Sequence, residues 1–165
     1  MLLVSEMLDL VERAESVEQK KAILLQNKSS HALLYVLALS YDPNVIFHLP
    51  EGTPPFKRET GKPIGYHQTS IQNELKRFYI WGSPQLNVPK AKKESLFMEM
   101  LEGMYYAEAD ILCAAKDKKL TSLYKSITED LVREAFPKLL PPKAVVEVVE
   151  KKKSVAKKSL KPVKA

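Results

Sequence analysis

Ser29-Ser30-His31-Ala32-Leu33-Leu34-Tyr35-Val36-Leu37-Ala38-Leu39-Ser40-Tyr41-Asp42-Pro43 is the stretch whose reading decides the fold. Its apolar residues occupy every face of a helix rather than one stripe. Such a helix must be surrounded by other elements and belongs at the centre of a bundle. Ser29 or Ser30 supplies the N-cap. Asp42-Pro43 closes the helix, because the pyrrolidine ring pushes the residue before it out of the α region.

Upstream, Leu3, Met7, Leu10, Val11 and Ala14 fall at helical spacing and mark the buried stripe of a first helix. Ser16 with Gln19 three residues on reads as a capping box, which predicts a second helix from Val17 to about Gln26. Downstream, Pro43, Pro50, Pro54, Pro55 and Pro63 alternate with Gly52, Gly61 and Gly65, and no helical stripe survives. That connection exceeds the ~12–15 residues usual for a loop without structure of its own, so it is expected to be functional or disordered. Val45, Ile46, Phe47 and Leu49 predict that its first half is pinned to the core, with a looser tip near Lys57 to Lys62.

Helical signal returns at Ser70, with Ile71, Leu75, Phe78 and Tyr79 on one stripe ending near Trp81-Gly82. After a connection from Ser83 to Pro89, Leu96, Phe97, Met100, Leu101 and Met104 mark another helix, and Ala107, Ile111, Leu112 and Ala115 the next. Lys116-Asp117-Lys118-Lys119 reads as a polar turn. Thr128-Glu129 opens a short last helix that Pro137 stops. No segment alternates like a strand. The expected fold is all-α, a compact irregular bundle of six to seven short helices with one long Pro/Gly-rich loop.

The 165 residues, 45% hydrophobic and 28% charged, suit one globular domain with an appendage, and the expected division is 1–140 and 141–165. Residues 141–165 hold eight lysines against two glutamates, which accounts for the whole net charge of +6. Lacking aromatics and glycine, this tail has too little apolar surface to offset ordering entropy and is expected to be disordered. A second basic band lies mid-chain, where Lys57, Arg58, Lys62, Lys76, Arg77, Lys90, Lys92 and Lys93 face only Glu59 and Glu74.

Several chemistries find no support. There is no phosphate-binding glycine loop, nucleophile elbow or helical zinc motif, so no catalytic residue, cofactor or metal is expected and the protein is expected not to be an enzyme. His48, Glu51, His67 and Asp42 would meet only if the long loop closed on itself, and no ligand spacing supports that. Cys113, the single cysteine, sits among apolar neighbours and reads as a buried small hydrophobe. The N-terminus lacks a positive n-region, and Ala32 to Leu39 is too short to span a bilayer, so neither secretion nor a membrane partner is expected.

Asp42-Pro43-Asn44 leading into His48-Leu49-Pro50-Glu51-Gly52-Thr53-Pro54-Pro55-Phe56, then Leu96-Phe97-Met98, Leu101-Glu102, Ala109-Asp110-Ile111-Leu112, Lys116-Asp117-Lys118-Lys119-Leu120 and Glu134-Ala135-Phe136-Pro137, resemble an uncharacterised family of proteins of T4-like tailed bacteriophages, including cyanophages. The resemblance spans roughly residues 1 to 140. It implies a viral protein made in the cytoplasm of a bacterial host, assigns no activity and leaves the lysine tail outside the shared region.

Two binding roles remain. In the first, a non-enzymatic phage accessory protein associates with DNA or RNA without sequence specificity. Lys151, Lys152, Lys153, Lys157, Lys158, Lys161 and Lys164 would make point-charge contacts to phosphate. Lys57, Arg58, Lys76 and Arg77, interleaved with Phe56, Tyr66, Phe78, Tyr79 and Trp81, would add cation and stacking contacts. In the second, a protein-binding adaptor docks a phage or host partner through the loop 42–66, whose stiff backbone presents Leu49, Pro50, Pro54, Pro55 and Phe56. The competing structural reading of that loop is a cover over an exposed face of the bundle.

Overall fold

The computed structural model describes residues 2–58 and 61–142. Among these, all regular structure is helical and no strand occurs. The expected disorder of the tail concerns residues that, apart from Pro141 and Pro142, lie outside the described ones.

After α1 (Val4–Arg13), α2 (Val17–Gln26) and α3 (His31–Tyr41) begin where the caps predicted. Ser16 Oγ accepts from Gln19 N at 3.2 Å and Ser30 Oγ from Leu33 N at 3.3 Å, each satisfying an amide that the first helical turn leaves without a partner. After the long loop come α4 (Ile71–Glu74), a 3₁₀ turn (Leu75–Arg77) and α5 (Tyr79–Gly82). α6 (Lys90–Gly103), α7 (Tyr106–Lys116), a second 3₁₀ turn (Leu120–Ser122) and α8 (Glu129–Ala135) complete the order.

α1 and α2 form an antiparallel hairpin, α8 packs on α2, and α3 lies against α7 and α1. Ala32, Leu33, Val36, Leu37 and Leu39 of α3 are buried, as a central helix requires. One apolar cluster runs from Val4 to Leu140. Its aromatic centre joins Phe47 of the loop to Phe78, Trp81 and Phe97, with ring centroids 5.4, 5.9 and 6.5 Å from that of Phe47. The loop therefore enters the core at Phe47, and His48 N donates to Trp81 O at 2.8 Å beside it.

Three expectations need correction. The helix predicted from Ser70 to Gly82 is broken into three short pieces, and Tyr79 is 59% exposed rather than in the core. Leu75, Phe78 and Trp81 recur every three residues, and a chain tightened to about three residues per turn brings them inward together while turning Tyr79 out. Leu10 of the α1 stripe is 46% exposed. At the loop's expected looser tip, Glu59 and Thr60 lie outside the described residues, but Lys57 and Arg58 are tied down: Lys57 N donates to Glu102 Oε1 at 3.1 Å, and Arg58 grips Asp110 with two hydrogen bonds.

Candidate functional site

The long loop is held by the turn that ends α7. Lys118 N donates to Ala115 O at 3.1 Å and Lys119 N to Ala114 O at 2.8 Å, the paired bonds of a Schellman cap, with Lys118 at the left-handed position (φ 61°) that glycine usually fills. This turn aims four consecutive charged side chains at the segment 39–52. Lys116 Nζ donates to Pro50 O at 2.8 Å, Gly52 O at 3.1 Å and Asp117 Oδ1 at 2.6 Å, and its side chain is only 2% exposed. Asp117 Oδ2 in turn accepts from Gly52 N at 2.9 Å. Gly52 has φ +98°, a conformation that side chains resist, and this explains the glycine here.

The other two lysines extend the clamp. Lys119 Nζ meets Glu51 Oε1 at 2.6 Å on the surface. Lys118 Nζ donates to Leu39 O, to Asp42 O at 2.8 Å and to Val45 O at 2.6 Å, so an ammonium satisfies carbonyls at the C-terminus of α3, where positive charge also suits the helix dipole. Burial lowers the Lys118 pKa from its ordinary value, an effect that the Asp42 carboxylate opposes. The Lys116-Asp117-Lys118-Lys119 block and the Asp42-Pro43 and Leu49-Pro50-Glu51-Gly52 blocks are thus two halves of one contact.

A cleft of about 390 Å³ opens between the clamped loop and α6. Leu49, Pro50, Pro54 and Pro55 line it from the loop, and Phe97 and Met98 from α6. Its surface is mainly apolar, with the carboxylates of Glu51 and Glu94 as the acidic members of the lining. The volume lies within the ~300–1,000 Å³ usual for binding pockets. The structure brings together four of the five residues expected to bind a protein partner. Phe56, the fifth, packs against the core cluster instead, with the Arg58 guanidinium 5.4 Å from its ring.

A second cleft, of about 410 Å³, lies against Gly52 and Thr53 and contains Arg58, Asp110, Cys113 and Asp117. Burial pushes the Cys113 thiol up to about 11, which disfavours the thiolate needed for nucleophilic or metal chemistry. His48, Glu51, His67 and Asp42 have separate surroundings. Glu51 pairs with Lys119, Asp42 Oδ1 accepts from Asn44 N at 2.9 Å, and His67 packs on the Tyr105 ring at 5.3 Å. Among the described residues no group of three or more metal-binding side chains occurs, and no helix is long and apolar enough to cross a membrane.

The mid-chain cations divide into paired and unpaired groups. Arg58 is committed to Asp110 at 2.6 Å and Arg77 to Glu74 at 2.9 Å. Lys57 and Lys76 are exposed, as are Lys90 and Lys92 at the start of α6. Lys93, in the same turn, is only 8% exposed, and its carbonyl accepts the Trp81 indole N–H at 2.9 Å. Lys151, Lys152, Lys153, Lys157, Lys158, Lys161 and Lys164 lie outside the described residues.

Residues 7–122 match a family of unknown function, DUF6433. The chain belongs to this family. The DUF6433 match includes the whole clamp, both clefts' loop walls and every mid-chain cation, and it is shorter than the span from 1 to 140 that the resemblance suggested. It ends before α8, so the Glu134-Ala135-Phe136-Pro137 block falls outside it, as does the lysine tail. Comparison with curated proteins gives no match.

The site residues that sequence reasoning missed are those of the clamp. Lys116 to Lys119 read as a solvated turn because their acceptors are mostly backbone carbonyls 64 to 79 residues away, which leave no local mark in the sequence. The only available signal was that the "KDKKL" and "LPEG" blocks stood out together.

Proposed function

We propose that this DUF6433 protein is a non-enzymatic phage accessory protein that docks a protein partner in the cleft between the Pro-rich loop and α6. The bacteriophage assignment, and with it the bacterial cytoplasm, rests on the resemblance of the "DP", "LPEG" and "KDKKL" blocks. The observation that carries the docking role is an apolar cleft whose loop wall is fixed in advance by the hydrogen bonds of Lys116 and Asp117 to its backbone. A pre-formed wall reduces the ordering entropy that a flexible loop would lose on binding.

The chemistry of the lining indicates what would fit. Apolar walls of Leu49, Pro50, Pro54, Pro55, Phe97 and Met98 suit an apolar side chain, and the Glu94 carboxylate suits a basic residue beside it. The partner is therefore a protein presenting an extended segment with an apolar anchor flanked by lysine or arginine. Selecting displayed peptides on the full chain should enrich that pattern, and Met98→Asp should abolish their binding while leaving the melting temperature unchanged. Selected peptides that bind Met98→Asp as well as wild type would refute the assignment.

A second reading is supported by charge. Eight lysines against two glutamates in residues 141–165 suit sequence-independent association with DNA or RNA. Fluorescence anisotropy with labelled DNA across a salt series tests it. Binding should weaken steeply with salt and vanish when residues 143–165 are deleted. No binding by the full chain at low salt would exclude this role for DNA.

A further inference from the structure

The described residues end at Pro142, and residues 143–165 follow in the sequence. That stretch contains the pattern the cleft between the Pro-rich loop and α6 accepts. Leu160 is its largest apolar residue, and Lys157, Lys158 and Lys161 flank it. Pro162 comes next, and a residue before proline favours extended backbone, which suits a segment laid along a cleft. The valines 145, 146, 148 and 149 form the other apolar group of the stretch, but Glu147 and Glu150 lie among them. Those acids would meet the Glu94 carboxylate with like charge.

The cleft has the complementary chemistry. Pro54, Pro55, Phe97 and Met98 form apolar walls, and the half-buried Glu94 has no ion pair among the described residues. A lysine next to an apolar anchor supplies the charge that Glu94 lacks. Length permits the contact as well. Residues 143–159 reach about 56 Å at full extension, whereas a domain of about 140 residues has a radius of gyration of about 14 Å.

We propose that residues 157–161 of this chain occupy its own cleft, with Leu160 between the apolar walls and a flanking lysine beside Glu94, so that a partner binds only by displacing them. The proposal rests on the docking role of the cleft and adds its regulation. A tether of this length holds the segment at an effective concentration of about 1 mM at the cleft. Even a weak segment, with a Kd of about 0.1 mM when detached, then weakens a competing peptide about tenfold.

Fluorescence anisotropy of a labelled peptide of residues 155–165, added to the full chain and to full-chain Leu160→Asp at several protein concentrations, tests this. The peptide should bind Leu160→Asp about tenfold more tightly than wild type, because only the variant leaves the cleft open. A gain of binding does not arise from unfolding. Adding Met98→Asp to the variant should abolish the binding, and adding Glu94→Lys should weaken it. The difference between the two chains should not change with protein concentration, as a contact within one chain requires. Equal binding to wild type and Leu160→Asp, no binding to Leu160→Asp, or a difference that disappears on dilution, as for the tail of a second copy, overturns the proposal. The docking role is judged separately, by displayed peptides selected on Leu160→Asp. If these lose binding on Met98→Asp, docking stands without regulation by the tail, and if they bind Met98→Asp equally, docking itself is refuted.

Discussion

Replacing Lys116 by methionine keeps the length of the side chain and removes only the ammonium. Three acceptors lose their donor: the carbonyls of Pro50 and Gly52 and the Asp117 carboxylate. The carbonyls belong to exposed residues, which water can reach once the loop relaxes. The Asp117 side chain is only 11% exposed and keeps Gly52 N as its remaining donor, with the Lys119 ammonium interacting from farther off, so its charge is left partly uncompensated. Breaking a buried pair from one side costs about 3–5 kcal/mol, and partial access of water to Asp117 places this case near the lower end, at about 3 kcal/mol. Adding Asp117→Asn removes the stranded charge yet retains an acceptor for Gly52 N. The double variant should therefore recover about 2 kcal/mol of the loss, a coupling well above the ~0.5 kcal/mol scatter of independent sites. Urea unfolding followed by the fluorescence of the single tryptophan, Trp81, measures all four corners of the cycle. A loss under about 1 kcal/mol for Lys116→Met, or additive effects within that scatter, would show that the clamp does not hold the loop.

Lys118→Gly relieves a left-handed backbone position but removes the donor to Leu39, Asp42 and Val45, and we expect a net loss of about 2 kcal/mol in chemical denaturation. A variant as stable as wild type would mean that the ammonium contributes nothing to α3. Glu108 accepts from Val4 N at 3.1 Å and Ile71 N at 3.0 Å, tying the starts of α1 and α4 together. Glu108→Gln leaves one of these buried amides without an acceptor and should cost about 2 kcal/mol. Burial raises the Glu108 pKa above 4.5, so the folded state holds this proton more tightly than the unfolded chain, and the stabilising contribution grows as pH falls through the raised pKa. The stability gap between wild type and Glu108→Gln should accordingly widen between neutral pH and 4.5, and a gap that narrows would contradict it. Tyr41, whose hydroxyl donates to Ile127 O, is pushed up to about 12 by burial and by Glu129, so its contribution is complete below pH 10 and lost as pH rises toward 12. The gap between wild type and Tyr41→Phe should shrink over that range, which equilibrium unfolding at several alkaline pH values will show.

The helices were legible where local chemistry sets them. Ser16 and Ser30 fix two starts through their own hydroxyls, and Asp42-Pro43 fixes an end, so α2 and α3 follow from neighbouring residues alone. The segment 71–82 did not follow, because two periods compete there. Ile71, Leu75 and Phe78 fit an α-helix, whereas Leu75, Phe78 and Trp81 fit a tighter turn, and packing against Phe47 and Phe97 selects the second. Leu49, Pro50, Pro54 and Pro55 were legible as a group because proline stiffens the chain wherever it lies. Phe56 was not separable from them, since only the fold places it against the core rather than along the cleft. Arg58 and Arg77 read as free cations because their partners, Asp110 and Glu74, are assigned by geometry, and one of the two lies 52 residues away.

The manner in which the loop is held bears on whether it docks a partner or merely covers the bundle. A covering segment is retained by burying its own side chains, so the residues that hold it are also those it would present. Here Val45, Phe47, Leu49 and Phe56 take that part, packed into or against the core. Between them the loop is retained mainly through its backbone: Lys116 binds the carbonyls of Pro50 and Gly52, and Asp117 binds the Gly52 amide. Backbone anchoring leaves Pro50, Pro54 and Pro55 free to face the cleft, and their side chains can change without releasing the loop, whereas Leu49 lines the cleft and also packs against the core. This division of labour favours docking over covering. It also assigns opposite outcomes to two kinds of substitution: changes at Pro54 and Pro55 act on what the cleft accepts, whereas changes at Lys116 and Asp117 act on whether the cleft exists.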